Sequence, residues 1–525
     1  MIDYLKVGKA SELEGQDRKL YRYLEILPGA LSWATLILLI LLSFLTPVFV
    51  AYFLIAFDIY WLLLVVYLGI HLISSYQKTM KNVRKDWVKM LTELPAQVLK
   101  RKNSTGEIAE IPMKWEDIIQ LIVFPIAFES YNVIEQSVRA IAECPYPQKN
   151  MIILMTVEER GGAEVLAAAN RVKTEYESKF KNIFLTVHPD GIAGEIKGKG
   201  SNQAWAAKEI KHNLIDKEGM DYDKILVSIF DIDTIIYPQY FHCLTYIFLT
   251  CEDPYRASYQ PVPVYHNNVW EASFFARLAA ASNTFWQMMQ QIRTEKLATY
   301  SSHSMTWRVL VEIGFWSKTM VSEDSRIFWH CFCYYNGDYR VEPMYYKVSM
   351  DITMDETAFK TAKNLYKQQR RWGWGVENIP YLIFNVYKRW DVIDHKKAIS
   401  RIFVQIYGFH SWATNALIIA LIGWMPMLLG GDRFNSTVLS TNLPVVSRTL
   451  MTFAMSGLFL SAILSTILLP KRPKNYSILK TISMPFQWII LPISIIVFGA
   501  FPALDSQTRL MFGKYLGFFV TPKVR

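Results

Sequence analysis

The sequence predicts an α/β domain with a largely parallel, doubly wound sheet, set between helices that span a membrane. Three observations predict it. Long uncharged apolar runs occupy both flanks of the chain, four short apolar runs alternate with helical patterns in the middle, and polar residues follow each of those four runs.

The 525 residues are 52% hydrophobic, which is high for a soluble protein. Residues 1–27 are polar and charged, so no cleavable signal peptide is evident. Pro28–Ser75 holds one formally charged side chain, Asp58, and suits two helices of about 20 residues with a turn near Thr46 and Pro47. Residues 76–114 read as a basic linker at the membrane interface, 115–355 as the α/β domain and 356–400 as interfacial amphipathic helices. Uncharged runs at Ile402–Gly430, Thr449–Leu469 and Thr481–Leu504 supply two or three further spans within 401–504, and 505–525 is a tail. Prolines 485, 492 and 502 make the last run a candidate re-entrant or broken segment.

Lys and Arg number 56 against 46 acids, a net charge of +10. They crowd the N-terminal segment (Lys6, Lys9, Arg18, Lys19, Arg22), the stretch after the first hairpin (Lys78, Lys81, Arg84, Lys85, Lys89) and the connector "PKRPKN", whereas Gly431–Val445 has Arg433 as its one base. The bias places the N-terminus and the polar middle in the cytoplasm. Nothing resembles an aromatic-interleaved basic groove or a zinc finger, which argues against nucleic acid as a partner. The five cysteines include no CxxC pair and read as reduced thiols.

In the middle, Leu121–Phe128, Met151–Val157, Asn182–Val187 and Lys224–Phe230 read as strands buried on both faces. Between them lie helical patterns such as "AEVLAAANRVKTEYESKF" and "SNQAWAAKEIKHNLI". The residues that follow the strands are Glu129, Glu158 with Glu159, His188, and Asp231 with Asp233, at the edge where such sheets bind ligands. Asp231 and Asp233 leave an extended segment two apart and can meet one point; a hard divalent ion completed by phosphate oxygens would join them. A solvated Asp-x-Asp turn is the plain alternative.

Downstream come Glu323 with Asp324, then "YKQQRRWGWG" with Gln368, Arg371 and Trp372. With Asp231-x-Asp233 and "GKGSNQAWA" before them, these motifs, in this order, resemble the membrane-embedded family-2 inverting glycosyltransferases, the group of cellulose, chitin and hyaluronan synthases. The resemblance covers roughly Leu121 to Trp374. It implies a glycosyltransferase A-type domain in the cytoplasm, transferring a sugar from a nucleotide-sugar donor to a growing polysaccharide, in a bacterial inner membrane. It implies Mg2+ or Mn2+ on Asp231 and Asp233, and Asp324 as catalytic base beside Glu323. Donor binding falls to Pro125, Glu129, Glu158, Glu159, Lys199, Asp231 and Arg371, and acceptor binding to Gln368, Trp372 and His303.

The chemistry agrees with these roles. Arg371 offers a planar fork of donors to a diphosphate, Trp372 a ring face to a sugar, and a carboxylate beside another acid suits a base. Glu323 and Asp324 would equally cap the helix "EDSRIFWHCF". Phe359, Ala362, Leu365, Tyr366, Trp372 and Val376 form one apolar stripe and Lys360, Lys363, Lys367, Arg370 and Arg371 a basic one, which places this helix in the membrane interface; a plain basic surface helix is the alternative.

Three features depart from the family pattern. "TVEERGG" stands where paired aspartates are usual, the acidic centre reads Asp-Ile-Asp, and "SSHSMTWR" replaces the common acceptor-site glycine. The tail "FFVTPK" resembles the gating loop of cellulose synthases. Membrane lipid is an expected partner. Because four or five spans leave little wall for a polymer channel, addition of one sugar to a lipid or lipid-linked acceptor is the second enzymatic reading. A catalytically silent membrane scaffold is a reading of another class.

Overall fold

The computed structural model describes residues 3–102, 107–474 and 476–521. Its strands are β1 Gln97–Lys102, β2 Ile108–Met113, β3 Ile119–Ile126, β4 Met151–Glu158, β5 Asn182–His188, β6 Ile225–Ile229, β7 Ile235–Ile236, β8 Ala257–Val264, β9 Ser304–Thr306 and β10 Arg340–Ser349. Eight of them form one sheet in the order β5-β4-β3-β6-β9-β8-β10-β7. β5, β4, β3 and β6 are parallel neighbours, as are β8 and β10; β9 runs antiparallel to β6 and β8, and β7 antiparallel to β10. The α/β, mostly parallel sheet is therefore present, with a mixed half beyond β6.

Alternation along β3 and β4 explains the two layers. Ile122, Phe124, Ile153 and Met155 meet Val133, Ile134 and Val138 of the Tyr131–Ala142 helix and Val165, Ala169 and Val172 of the Gly162–Tyr176 helix. Leu121, Val123, Ile152 and Leu154 meet Ala204, Ala207 and Ile210 of the Lys199–Ile210 helix, with Ile327 and Phe328 of the Glu323–Tyr334 helix in the same cluster. Period-two strands buried on both faces need apolar residues at every position, which is why these runs are continuous.

The region 76–114 is more than a linker. β1 and β2 form an antiparallel hairpin whose Leu99 and Met113 join the domain core, and Arg101 pairs with Asp223. Its polar outer face gave no apolar run to read. β8 and β10 were also illegible as strands, because "ASYQPVPV" and "RVEPMYYKVS" carry prolines.

Four helices are long and apolar enough to cross a membrane: Gly15–Leu45, Pro47–Arg84, Val438–Leu468 and Thr481–Met511. His395–Ala420 with Ile422–Leu429, bent by 41°, makes a fifth if the pair is one span. They suit a membrane protein, and they bracket the α/β domain. The hairpin turns at Thr46 as expected. Asp58, its one charged residue, is buried and hydrogen-bonds Ser447 of the Val438–Ala454 helix. In Thr481–Met511 the prolines do not interrupt helical structure; 3-10 turns at Met484–Ile490 and a π segment at Ile496–Ala500 absorb them.

Candidate active site

Lys199 is the first residue of the Lys199–Ile210 helix, and Gly200 lets that N-terminus touch the start of the Glu323–Tyr334 helix. A Cβ on Gly200 would stand 2.6 Å from the Ser317 carbonyl oxygen and 3.1 Å from Glu323 Cβ. The close approach puts the buried Lys199 ammonium 2.8 and 2.9 Å from the two oxygens of Asp324, 2.9 Å from Asp231 Oδ1 and 3.8 Å from Glu323 Oε1. Burial works against this charge, but Asp231, Asp324 and Glu323 outweigh it and raise the Lys199 pKa. Glu323 is fully buried; burial first, then the Asp324 charge, push its carboxyl up to about 8, against the opposing pull of Lys199 and Arg371. Asp231 and Asp324 keep about a quarter of their side-chain surface open, 27% and 24%, so this centre faces a cleft.

The segment before β9 supports the acids. Ser301 Oγ donates to Asp231 Oδ2 at 2.6 Å, Thr299 Oγ1 donates to the Asp324 carbonyl oxygen at 2.6 Å, and Ser302, the next residue, holds a left-handed φ of 68°. A non-glycine residue held there is strained, and such strain clusters at functional sites. His303 is fully buried, with Nδ1 2.8 Å from the Tyr300 carbonyl oxygen and no partner on Nε2; burial lowers its pKa. It packs close to Asp324, Lys199 and Asp231.

Asp233 forms a second pole. Its Oδ2 accepts from the Asp351 backbone N at 3.1 Å, and Asn267 Nδ2 donates to the Asp233 carbonyl oxygen at 2.8 Å and to Asp351 Oδ1 at 2.9 Å. Asp351 follows β10 as Asp231 follows β6. The sequence signal for it existed, a strand-end acid, but it depended on recognising β10.

The metal expectation meets a mixed arrangement. Both oxygens of Asp231 already accept, from Lys199 and Ser301, and among the described residues no group of three His, Cys, Asp or Glu side chains could hold an ion. Asp233, a buried hard-oxygen donor at the same strand end, fits a divalent ion that takes its other ligands from substrate phosphates and water.

The Ala358–Gly373 helix carries the third motif. Gln368 Oε1 accepts from Thr353 Oγ1 at 2.8 Å, Trp372 is half-buried, and Arg371 lies 4.7 Å from the ring of Phe518, with Nε buried and unpartnered. Part of the basic stripe meets protein, while Lys360 and Lys363 are exposed. Arg370 pairs with Asp505 at 3.0 Å and Lys367 covers Phe519 at 4.8 Å, while Phe359 is exposed. The tail thus returns to the site: a Cβ on Gly198 would stand 2.6 Å from Phe518 Cγ. Pro522 and Lys523 of "FFVTPK" lie outside the described residues. Val376 falls in a 3-10 turn after the helix, whose buried Glu377 accepts from Ser322 Oγ at 2.6 Å, Ser322 N at 3.1 Å and Trp374 Nε1 at 2.9 Å. Glu377 thereby ties the RW turn to the residue before Glu323, a role no local pattern announces.

The remaining assigned residues stand apart. Pro125 sits in β3 opposite Thr156. Glu129 Oε2 accepts from the backbone N of Ala127 at 2.7 Å and of Phe128 at 3.0 Å, closing the turn after β3. Glu158 Oε2 is 2.5 Å from Arg160 Nε, and Glu159 Oε2 accepts from Asp190 N at 2.8 Å. The structure therefore brings Lys199, Asp231, Glu323 and Asp324 into direct contact, with Arg371 close enough to act on Glu323, and gives Glu129, Glu158 and Glu159 local partners.

Neither a family model nor a curated protein matches the chain. Among solved structures it is similar to a mannosyltransferase of Pyrobaculum calidifontis in complex with GDP-Man and Mn2+, at 11% identity over 76% of this chain and 98% of that one, with a TM-score of 0.40. It is also similar to S. aureus TarS 1-349 in complex with UDP, at 10% identity over 67% of this chain and 91% of that one, with a TM-score of 0.34. Both likenesses are remote.

Proposed function

We propose that this protein is a membrane-bound glycosyltransferase that moves a sugar from a nucleotide-sugar donor to an acceptor hydroxyl, in one displacement that inverts the anomeric centre. The observation that carries the reading is the single buried ammonium of Lys199 shared by Asp231 and Asp324. A diphosphate entering the cleft offers that ammonium a stronger anion. Lys199 and Arg371 then hold the diphosphate, and Asp324 is released to accept a proton. The acceptor oxygen bonds to the anomeric carbon, its proton passes to Asp324, and the diphosphate leaves with the electron pair of the broken bond.

A divalent ion on Asp233 would add positive charge against the leaving diphosphate. Chelation should abolish turnover, Mn2+ or Mg2+ should restore it, and Asp233→Ala should weaken donor binding while thermal melting stays near wild type. Full turnover in excess chelator would remove the metal from the scheme. Of the acceptors considered, a growing polysaccharide follows from the QxxRW resemblance and a lipid-linked molecule from the small number of spans. Glu323 and Asp324 also head a helix, but the Lys199 contacts give them more to do than cap it. An intact acid centre likewise disfavours a silent scaffold.

A further inference from the structure

Two of the apolar helices change character at the same depth. On the Pro47–Arg84 helix, Val66, Ile70 and Ile73 are 50%, 62% and 40% exposed, and Gln77, Lys81 and Arg84 continue the same three-and-four spacing, exposed as well. One outward stripe thus turns from apolar to polar at Gln77 and to basic at Lys81. The Ser456–Leu468 helix does likewise: Phe459, Ile463 and Ile467 are exposed, and the exposed Lys471, Arg472 and Lys474 follow its end. These two helices run parallel. A Cβ on Gly457 would stand 2.7 Å from Val65 Cγ1 and one on Gly69 3.3 Å from Leu460 Cδ2, while Leu72, Leu464 and Leu468 share a cluster with Tyr76 and Met80. Both switches therefore fall near one plane, as expected where an acyl layer ends and headgroups begin.

At that plane a concavity of about 430 Å³ opens beside the last turns of the Pro47–Arg84 helix, lined by Tyr76, Gln77, Met80, Lys81, Arg84 and Lys85. Its apolar part is Tyr76 and Met80, and its charged part is three bases. Lys85 lies 4.9 Å from the Trp87 ring and the neighbouring Lys78 5.1 Å from the Tyr345 ring. Among the described residues no carboxylate oxygen comes within 4.0 Å of the Lys78, Lys81, Arg84 or Lys85 side-chain nitrogens, or of those on Lys471, Arg472 and Lys474. Asp86, the next acid along the chain, caps the following helix by accepting from Lys89 N at 3.1 Å. Bases at this end of a helix suit its dipole and the charge bias of membrane proteins, but neither effect requires a concavity or places them on the stripe that faces lipid. Like charges gathered without a counter-charge repel, and an anion relieves them. A soluble acidic partner would use the basic half alone; a phospholipid uses both halves.

We propose that this concavity seats the headgroup of an anionic membrane phospholipid, with its phosphate on Lys81, Arg84 and Lys85 and its acyl chains along Ile73, Ile70 and Val66. The site shares no residue with the acid centre and does not rest on the glycosyltransferase reading.

The test places the full chain in nanodiscs of equal phosphatidylcholine and phosphatidylglycerol and compares, by native mass spectrometry, how much of each lipid the released protein retains. Wild type should retain phosphatidylglycerol about tenfold over phosphatidylcholine at low salt. Lys81→Gln with Arg84→Gln and Lys85→Gln should bring the ratio near one, whereas Lys149→Gln with Lys179→Gln and Lys217→Gln, which removes three exposed bases of the α/β domain, should leave it unchanged. Raised ammonium acetate should weaken the preference of wild type itself, which decides the matter if the first triple variant folds poorly. Inorganic phosphate in excess should not displace the lipid. A wild-type ratio near one, an undiminished ratio in the first triple variant, an equal loss in the second, indifference to salt, or displacement by inorganic phosphate would each overturn the site.

Discussion

An ammonium that bonds both oxygens of Asp324 holds that carboxylate as an ion pair, and in the proposed reaction a diphosphate that draws the ammonium away would make donor binding and base release one event. Glu323 behaves differently from its neighbour because it is fully buried. In the unfolded chain its carboxyl ionises near the ordinary value of about 4.3, whereas in the folded chain burial and Asp324 hold the proton on to about 8. Between those values the folded chain binds more protons than the unfolded one, so stability falls as pH rises. Buried Glu377, shifted the same way by burial, adds to the slope. Thermal midpoints of wild type should therefore drop from about pH 5 to about pH 8, and Glu323→Gln should flatten that drop. Parallel pH curves for the two proteins would remove Glu323 as its source.

At the scale of elements, the site depends on one close approach, the Lys199–Ile210 helix against the start of the Glu323–Tyr334 helix across Gly200. Gly200→Ala must move Ser317 or Glu323, at a cost of about 1–3 kcal/mol, and should lower both melting temperature and turnover. Gly408→Ala, with open space around the added methyl, is the control and should be neutral or stabilising by about 0.5–1 kcal/mol. Melting curves of the pair decide it, and equal effects would contradict the packing argument. The acids of the first layer were readable because each sits in a short motif at a strand or helix end: Asp231, Asp233, Glu323, Asp324. Glu377, Asp351, Asn267 and Ser301 were not, since each acts on a residue 34 to 118 positions away or on one the strand pattern did not reach. Pro261, Pro263 and Pro343 hid β8 and β10, and with them the half of the sheet that carries Asp351 and Tyr265.

Across the whole molecule, the two ends of the chain meet. Arg22 Nη1 donates to the Leu510 carbonyl oxygen at 2.9 Å and Tyr515 to Glu25 at 2.9 Å, while Phe518 lies on Gly198 at the active site. Met484, near the start of the Thr481–Met511 helix, packs with Trp270 and Ile352 of the α/β domain, and Ser506, near its end, donates to the Arg370 carbonyl oxygen at 2.7 Å. Contacts of both ends with the domain side agree with the candidate re-entrant course named for this segment, which would give an even number of crossings. Cys331 and Cys333 are buried, so topology is best read with introduced cysteines. Lys217→Cys and Lys514→Cys, both exposed, should label from the same face of sealed vesicles and Arg433→Cys from the other; labelling of the 514 position together with 433 would contradict the re-entrant course. The central claim, that Asp324 beside Lys199 is the base of glycosyl transfer, is tested most directly by nucleoside diphosphate release from a panel of nucleotide sugars, comparing wild type with Asp324→Asn in membranes of matched protein content. Wild type should release diphosphate from at least one donor, and Asp324→Asn should lower turnover by about 10²–10⁴-fold with donor affinity within a few fold. Release from no donor, or undiminished release by Asp324→Asn at saturating donor and acceptor, would contradict it.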